Sequence, residues 1–385
     1  MTNTQLYTPV TPPTRVILVR HGRSTFNEQG RYQGASDESV LTEKGHADAR
    51  QTGQVLKGTR FSAIYTSPLQ RTQQTAEEIQ LGLSTSVPMI THPNLKEIDL
   101  PAWAGLRYQY VRESLTTDYH RWIEYPHKFE MAGPQGVRRP VQDLYDQAQG
   151  FWQQILPRHA GQTILVVSHG GTIRALIGTA LGLPCSYYHA VQQSNCGTSI
   201  LSFPDPSRPA HLETMNDTSH LGEVLPKLKA GRQGLRLLMV PTGKRDLQSV
   251  QDLHTILHAQ KLDFCISQSD VSQVLCKAIL AEHPHTVQLH TNRTDFHHLW
   301  LKALNSRQYP TQSTELITGV LVAQPQIIQQ MLSRIIGPHP LLHLPLIEGR
   351  VSVVHCPTTQ NMPILQSLNF AGPTVVSRGL LSCAS

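Results

Sequence analysis

Short apolar runs recur along the chain, and most of them hand over directly to a polar turn and then to a helical pattern. Val16, Ile17, Leu18 and Val19 form the first, a run rich in β-branched residues that predicts a buried strand ending in Arg20, His21 and Gly22. A polar loop, GRYQGASDESV, follows. LTEKGHADARQTGQVL then predicts a helix, with Thr42 as its cap and Ala47, Ala49, Val55 and Leu56 in partial helical register. FSAIYTS, from Phe61, predicts a second strand. SPLQRTQQTAEEI predicts a helix with Arg71 in its first turn. Strand, helix, strand, helix is the rhythm of a parallel sheet covered on both faces.

NLKEIDLPAWAG is loop-like and carries Glu97. Leu106 to Arg139 is polar, aromatic and arginine-bearing without clear period, as an insertion over a cleft would be. An amphipathic helix begins at Val141. A second buried run, Ile164 to Val167, delivers Ser168, His169 and Gly170 to its end and a helix follows. CGTSILSF, near Phe203, predicts a last strand. Three units follow from this pattern: residues 14–204, a Pro- and Gly-bearing linker at 205–233, and a second unit at 234–385 in which the rhythm starts again. There LRLLMVPTG from Leu235 parallels TRVILVRHG, LDFCISQSDVSQVLCKAIL from Leu262 parallels FSAIYTSPLQRTQQTAEEI, and TGVLVAQPQIIQQMLSRIIG from Thr318 parallels TILVVSHGGTIRALIGTAL.

Composition narrows the class. The chain has 385 residues, enough for two domains, with a formal net charge of +6 and no dense Lys/Arg run. That diffuse surplus suits anionic small molecules and not nucleic acid. No segment approaches the length of a membrane span. The lead-in MTNTQLYTPVTPPT lacks the pattern of a secretory signal. Six cysteines without CxxC spacing (Cys185, Cys196, Cys265, Cys276, Cys356 and Cys383) indicate unbridged thiols and a cytoplasmic setting. His297 and His298 have no ligand spacing with cysteines or acids, so no metal is assigned.

Residues at strand ends are where an open α/β sheet keeps its ligand crevice. A phosphate monoester carries about two negative charges, and arginine forks meet its oxygens two at a time. Arg20 and Arg71 each follow a strand. A neutral imidazole, His21, can attack phosphorus, and His169 can stabilise the equatorial oxygens. Glu97, beside apolar Ile98, Leu100 and Trp103, is placed to protonate the leaving alcohol and later deprotonate water. Ser24 and Asn27 add hydrogen bonds, with Gln33, Gly34 and Gly170 as further substrate-binding candidates. Gly22 allows a sharp turn and a close approach of backbone to ligand. A lone histidine is usually a satisfied core residue, but one set between Arg and Gly at a strand end, with the other blocks present, is not.

RHGRSTFN, SPLQRTQQTA, LKEIDLPAWAG and VVSHGG, in that order, resemble the signature blocks of the histidine phosphatase superfamily, phosphoglycerate mutase-like branch. The resemblance covers about Thr14 to Phe203. It implies a three-layer α/β/α fold with a mainly parallel sheet, His21 as nucleophile, and Arg20, Arg71 and His169 on phosphate. It further implies help from Asn27, Glu97 as proton donor, and no cofactor. The blocks around Glu97 and His169, with QQSNCGTSIL, are similar to the plant and cyanobacterial 2-carboxyarabinitol 1-phosphate phosphatases. A metal-independent phosphomonoesterase acting on a small phosphorylated sugar acid follows, with no nucleic-acid or membrane partner and a homodimer left open. Phosphoserine phosphatase, cofactor-dependent mutase and non-catalytic phospholigand-binding regulator remain as alternatives. In the second unit Pro241 and Thr242 stand for Arg20 and His21, Ser272 for Arg71 and Gln324 for His169, which predicts an inactive copy. Among other acids near Glu97 are Asp99, Glu113 and Glu130. Arg107, Arg121, Arg138 and Arg139 are expected at the surface, with a substrate carboxylate as the role open to one or two of them. Trp103 and Trp122 are expected to pack the insertion.

Overall fold

A computed structural model describes residues 12–133, 136–205, 209–243, 247–258, 260–268, 270–291, 315–337 and 343–373. The lead-in through residue 11, His297, His298 and Cys383 lie outside the described residues.

The apolar runs become strands where the sequence places them. In the first half these are β1 (Thr14–Arg20), β2 (Ala63–Thr66), β3 (Met89–Thr91), an insertion hairpin β4 (Met131–Gly133) and β5 (Gly136–Arg138), β6 (Thr163–Ser168), β7 (Thr198–Phe203) and β8 (His211–Asp217). In the second they are β9 (Gly234–Pro241), β10 (Phe264–Ser267), β11 (Val287–His290), β12 (Leu316–Ala323), β13 (Val351–Cys356) and β14 (Ile364–Phe370). All but the hairpin join one twelve-stranded sheet in the order β11-β10-β12-β9-β13-β14-β8-β7-β1-β6-β2-β3. Read outward from the β8–β14 seam, both halves run in the same succession. Each has two antiparallel strands next to the seam, then four mutually parallel ones.

Helices cover both faces. They are α1 (Thr25–Gln29), α2 (Glu43–Val55), α3 (Gln70–Leu83), α4 (Tyr108–Ser114), α5 (Thr116–Glu124), α6 (Pro140–Ile155), α7 (Gly170–Ala180), α8 (Leu247–His258), α9 (Asp270–Ile279) and α10 (Pro325–Ile336). Thr42 caps α2 by accepting from the Gly45 amide, as its position predicts. Side chains alternate along the strands. Val16 and Leu18 pack with Phe151 and Leu176 on one face, and Ile17 and Val19 with Ala49 and Ile79 on the other. Leu237 and Met239 of β9 join the first of these clusters along with Ile328 and Leu332 of α10, so one core runs beneath both halves. Leu238 and Val240 face the opposite way, onto Ile256 and Leu275. Each such buried aliphatic side chain contributes about 1.5–3 kcal/mol. No helix of the described residues is long and apolar enough to cross a membrane.

The expected linker at 205–233 is a different object from a loose tether. It contains β8, so Phe203 does not end the last strand of the first half. Thr214, Asn216 and Asp217 of β8 are buried despite being polar; Asn216 Nδ2 donates across the seam to the Gln366 carbonyl, and Asp217 Oδ1 accepts from the Ser219 amide. Polar residues at core positions disguise a strand in the sequence. β8 pairs with β14, Met215 opposite Leu368.

The insertion folds as α4, α5 and the β4–β5 hairpin. Trp103, Trp122 and Phe129 are buried under it with ring centroids 5.3–5.8 Å apart.

Candidate active site

Register builds the site. Arg20 lies opposite Ser168 in the β1–β6 pair, and Thr66 opposite Val167 in the β2–β6 pair. Three parallel strands therefore stop at one level. The residues that come next, His21, His169 and Ser67, emerge side by side at the carboxyl end of the sheet. The His21 and His169 ring centroids are 5.3 Å apart, and both residues are buried.

His21 Nδ1 lies 2.8 Å from the Gly22 carbonyl. A carbonyl only accepts, so Nδ1 carries the proton and the Nε2 lone pair is left for an incoming electrophile. Burial, reinforced by the guanidiniums of Arg20 and Arg71, holds His21 well below the ordinary histidine value, so the ring is neutral at neutral pH. His169 lies well below it too, through burial and then Arg71, His21 and Arg20. Its Nε2 is 2.8 Å from Ser67 Oγ, which leaves Nδ1 buried with no hydrogen-bond partner.

Arg71, from the first turn of α3, is fully buried. Its Nη1 donates to the Ser36 carbonyl at 2.7 Å and its Nη2 to the Gly34 carbonyl at 2.9 Å, while Nε has no partner. Burial lowers it to about 10, still a cation at neutral pH. Arg20 Nη1 donates to the Gln193 carbonyl at 2.9 Å, and its buried Nε is also unpartnered. Buried guanidinium N–H groups without acceptors are groups a ligand must satisfy.

Glu97 follows β3 and arrives over the start of α7. Its carboxylate accepts from the amides of Gly171 (3.1 Å), Thr172 (3.0 Å) and Ile98 (2.9 Å), and from the Thr172 hydroxyl (3.2 Å). Its setting is thus one of N–H and O–H donors at the start of α7, in place of the apolar surroundings its sequence neighbours suggest. The approach requires Gly171: a Cβ there would stand 2.5 Å from Glu97 Oε1 and 2.5 Å from the Tyr188 hydroxyl. The rival acids are elsewhere. Asp99 meets Arg138, Glu113 meets Arg112 and Glu130 meets Arg139, all in exposed pairs. Arg107 and Arg121 are exposed as well.

Arg20, His21, Arg71 and Glu97 line a cavity of about 180 Å³ to which Gln33, Gly34 and Gly170 also contribute, while His169 does not line it and stands against the His21 ring. Ser24 and Asn27 do not line it. Ser24 caps α1, and Asn27 Oδ1 accepts from the Ser24 amide at 3.3 Å and from its hydroxyl at 3.1 Å, so the pair forms a capping box. Gly22 approaches backbone in place of ligand, since a Cβ there would stand 2.6 Å from the Gly45 carbonyl.

Four residues of the cavity or its support escape a reading of the sequence by blocks. Asn195 Nδ2 donates to the carbonyls of His21 (2.9 Å) and Gly22 (3.2 Å) and clamps the histidine loop. Arg174, Gln193 and Lys229 line the outer part of the cavity. Arg174 lies on the same face of α7 as Gly170 and Gly171, four and three positions on, and Gln193 and Asn195 fall within QQSNCGTSIL, whereas Lys229 had no signal.

Among the described residues no three His, Cys, Asp or Glu side chains gather into a metal-binding cluster.

Residues 16–218 match a family model described as "Histidine phosphatase superfamily (branch 1)". The chain is 35% identical over 288 residues to the wheat (Triticum aestivum) protein named 2-carboxy-D-arabinitol-1-phosphatase, covering 71% of this chain and 57% of that one. It is 42% identical over 189 residues to an Arabidopsis thaliana protein named "Probable 2-carboxy-D-arabinitol-1-phosphatase", covering 49% of this chain and 38% of that one. To phosphoserine phosphatase 1 of Hydrogenobacter thermophilus it is 34% identical over 209 residues, 54% of this chain and 95% of that one. The chain thus spans about half the length of the plant relatives, and its likeness to the wheat protein extends past the family region.

Proposed function

This chain belongs to the histidine phosphatase superfamily, and on that footing we propose that it is a phosphomonoesterase working through a phosphohistidine at His21. One observation carries the reading. The His21 ring is neutral, its Nδ1–H is tied to the Gly22 carbonyl, and its free nitrogen shares a cavity with two arginines whose buried Nε–H groups are unpartnered.

The steps follow from the placement. His21 Nε2 attacks phosphorus, and the bond from phosphorus to the alcohol oxygen breaks. Arg20, Arg71 and the unpartnered nitrogen of His169 hold the equatorial oxygens where charge accumulates. Glu97, protonated, gives its proton to the departing oxygen. A water then attacks the phosphohistidine, its proton passes to Glu97, the N–P bond breaks and phosphate leaves. Fixed cations already in the cavity meet the charge, so the steps need no metal.

The substrate class is a small phosphorylated sugar acid or related metabolite, supported by the names of the plant relatives. Phosphoserine is the second candidate, supported by the Hydrogenobacter relative, which is matched over nearly its whole length. We further propose that residues 234–385 are a copy of the first unit without its chemistry. The Thr242 amide bonds the Ala323 carbonyl at 2.8 Å, as the His21 amide bonds that of Ser168, yet Thr242 and Gln324 stand where the histidines would be.

The test is a panel of phosphorylated metabolites with chelator present, joined to rapid acid quench during turnover. An acid-labile phosphoryl adduct at His21 is expected, together with loss of kcat on the order of 10⁴–10⁶ in His21→Ala. Turnover without that adduct, or turnover abolished by chelator, would overturn the reading. Release of an isomer in place of free phosphate would show a mutase.

A further inference from the structure

The stretch between the halves carries a cation into the site. Lys229 lies beyond the family region, in a segment without regular structure. Its ammonium donates to the Gln193 carbonyl, the same oxygen that Arg20 Nη1 meets. Lys229 is exposed as a whole residue, and it reaches the cavity wall. Arg174 stands beside it, fixed by its Nε donating to the Val191 carbonyl at 3.0 Å and by its guanidinium lying 5.5 Å from the Tyr188 ring centroid. Gln193 is 2% exposed and lines the same wall, and neither its side-chain oxygen nor its nitrogen has a partner. A buried amide left open on both atoms is a recognition group without its ligand.

We propose that Lys229, Arg174 and Gln193 form a second anion subsite beside the phosphoryl position, which takes a carboxylate of the substrate and selects phosphorylated acids over phosphorylated alcohols. The proposal rests on the phosphatase reading above and adds the group that chooses the substrate. Charge counting supports it. Arg20 and Arg71 already match the roughly two charges of a phosphoryl group, and the cavity holds two more cations. Its one carboxylate, Glu97, is already engaged by four donors.

The second half holds this strap in place. The Lys227 carbonyl accepts from Gln192 Nε2 at 3.0 Å and from Gln366 Nε2 of β14 at 3.5 Å. The Pro226 carbonyl accepts from Arg236 Nη2 of β9 at 2.6 Å. A unit without chemistry of its own thereby positions a specificity residue for its neighbour.

The experiment compares 3-phosphoglycerate with glycerol 3-phosphate, which differ by a carboxylate against a hydroxymethyl group. The full chain, Lys229→Met and Lys229→Arg are assayed with both. We expect kcat/KM in Lys229→Met to fall about tenfold more for the acid than for the alcohol, mainly through KM. Lys229→Arg should keep most of the preference. Equal losses on both compounds, or no loss on either, would overturn the subsite. Calorimetric titration of the same two compounds into the His21→Ala chain, with and without Lys229→Met, reads the same discrimination without turnover. If acid and alcohol bind alike there, the subsite fails even where the phosphatase stands. If the acid is preferred and Lys229→Met removes the preference, the subsite stands even where turnover is absent.

Discussion

Asn216 and Asn369 occupy equivalent places on the two sides of the β8–β14 seam and bond across it in the same way. Each is buried and left-handed, with φ of 52° and 54°. Asn216 Nδ2 donates to the Gln366 carbonyl at 2.7 Å, and Asn369 Nδ2 to the Glu213 carbonyl at 2.7 Å. Their amides donate to Ser199 Oγ and Ser352 Oγ, and their Oδ1 atoms accept from the amides of Ser194 and Ile347. Every counterpart pair is the same distance apart in sequence. The two halves are thus joined at the seam by matching bonds, which is the relationship the proposed duplication calls for.

Asn369→Ala leaves the Glu213 and Pro345 carbonyls and the Ile347 amide without this partner, and it puts Ala, which tolerates the left-handed region less well than Asn, at φ of 54°. We expect a loss of about 2–4 kcal/mol in denaturant unfolding. A change under about 0.5 kcal/mol would show the seam to be solvated in solution.

Ser67 touches His169 and not the cavity's open space. Ser67→Ala frees the ring proposed to hold the phosphoryl oxygens, so kcat should drop about tenfold while KM moves less. A KM effect without a kcat effect would remove Ser67 from the reaction.

The acid limb of kcat/KM reports protonation of His21, since the protonated ring cannot attack. Burial and then Arg20 and Arg71 lower its pKa, so the limb lies below pH 6.5. Arg20→Met removes one of those charges and should move the limb to higher pH. An unmoved limb in that variant would assign it to another group.

Stability should also fall in mild acid. His21 and His169 sit well below 6.5 when folded, and burial holds His189 to about 3. Below pH 6.5 the unfolded chain takes up protons that these buried rings refuse, so unfolding is favoured increasingly as pH falls toward the folded values. Urea midpoints at pH 7.5 and 5.5 test this; a midpoint no lower at 5.5 would contradict it.

The sequence by itself determined where the central strands run, which residues stand at their ends, and that the rhythm occurs twice. A buried strand followed at once by Arg-His-Gly or Ser-His-Gly is a local pattern. Parallel pairing then leaves little freedom in where His21 and His169 emerge. Only the tertiary structure decided the rest. Ser24 and Asn27, which look like ligand donors, satisfy each other because a short helix needs its cap. β8 looks like linker because polar Thr214, Asn216 and Asp217 are buried in it, and Asn216 finds its partner on β14, far along the chain. Lys229, Arg174 and Gln193 meet at the cavity wall only after β9 and β14 fix the strap. Contacts between residues distant in sequence depend on where whole elements pack, and no periodicity in a stretch of ten or twenty residues carries that information.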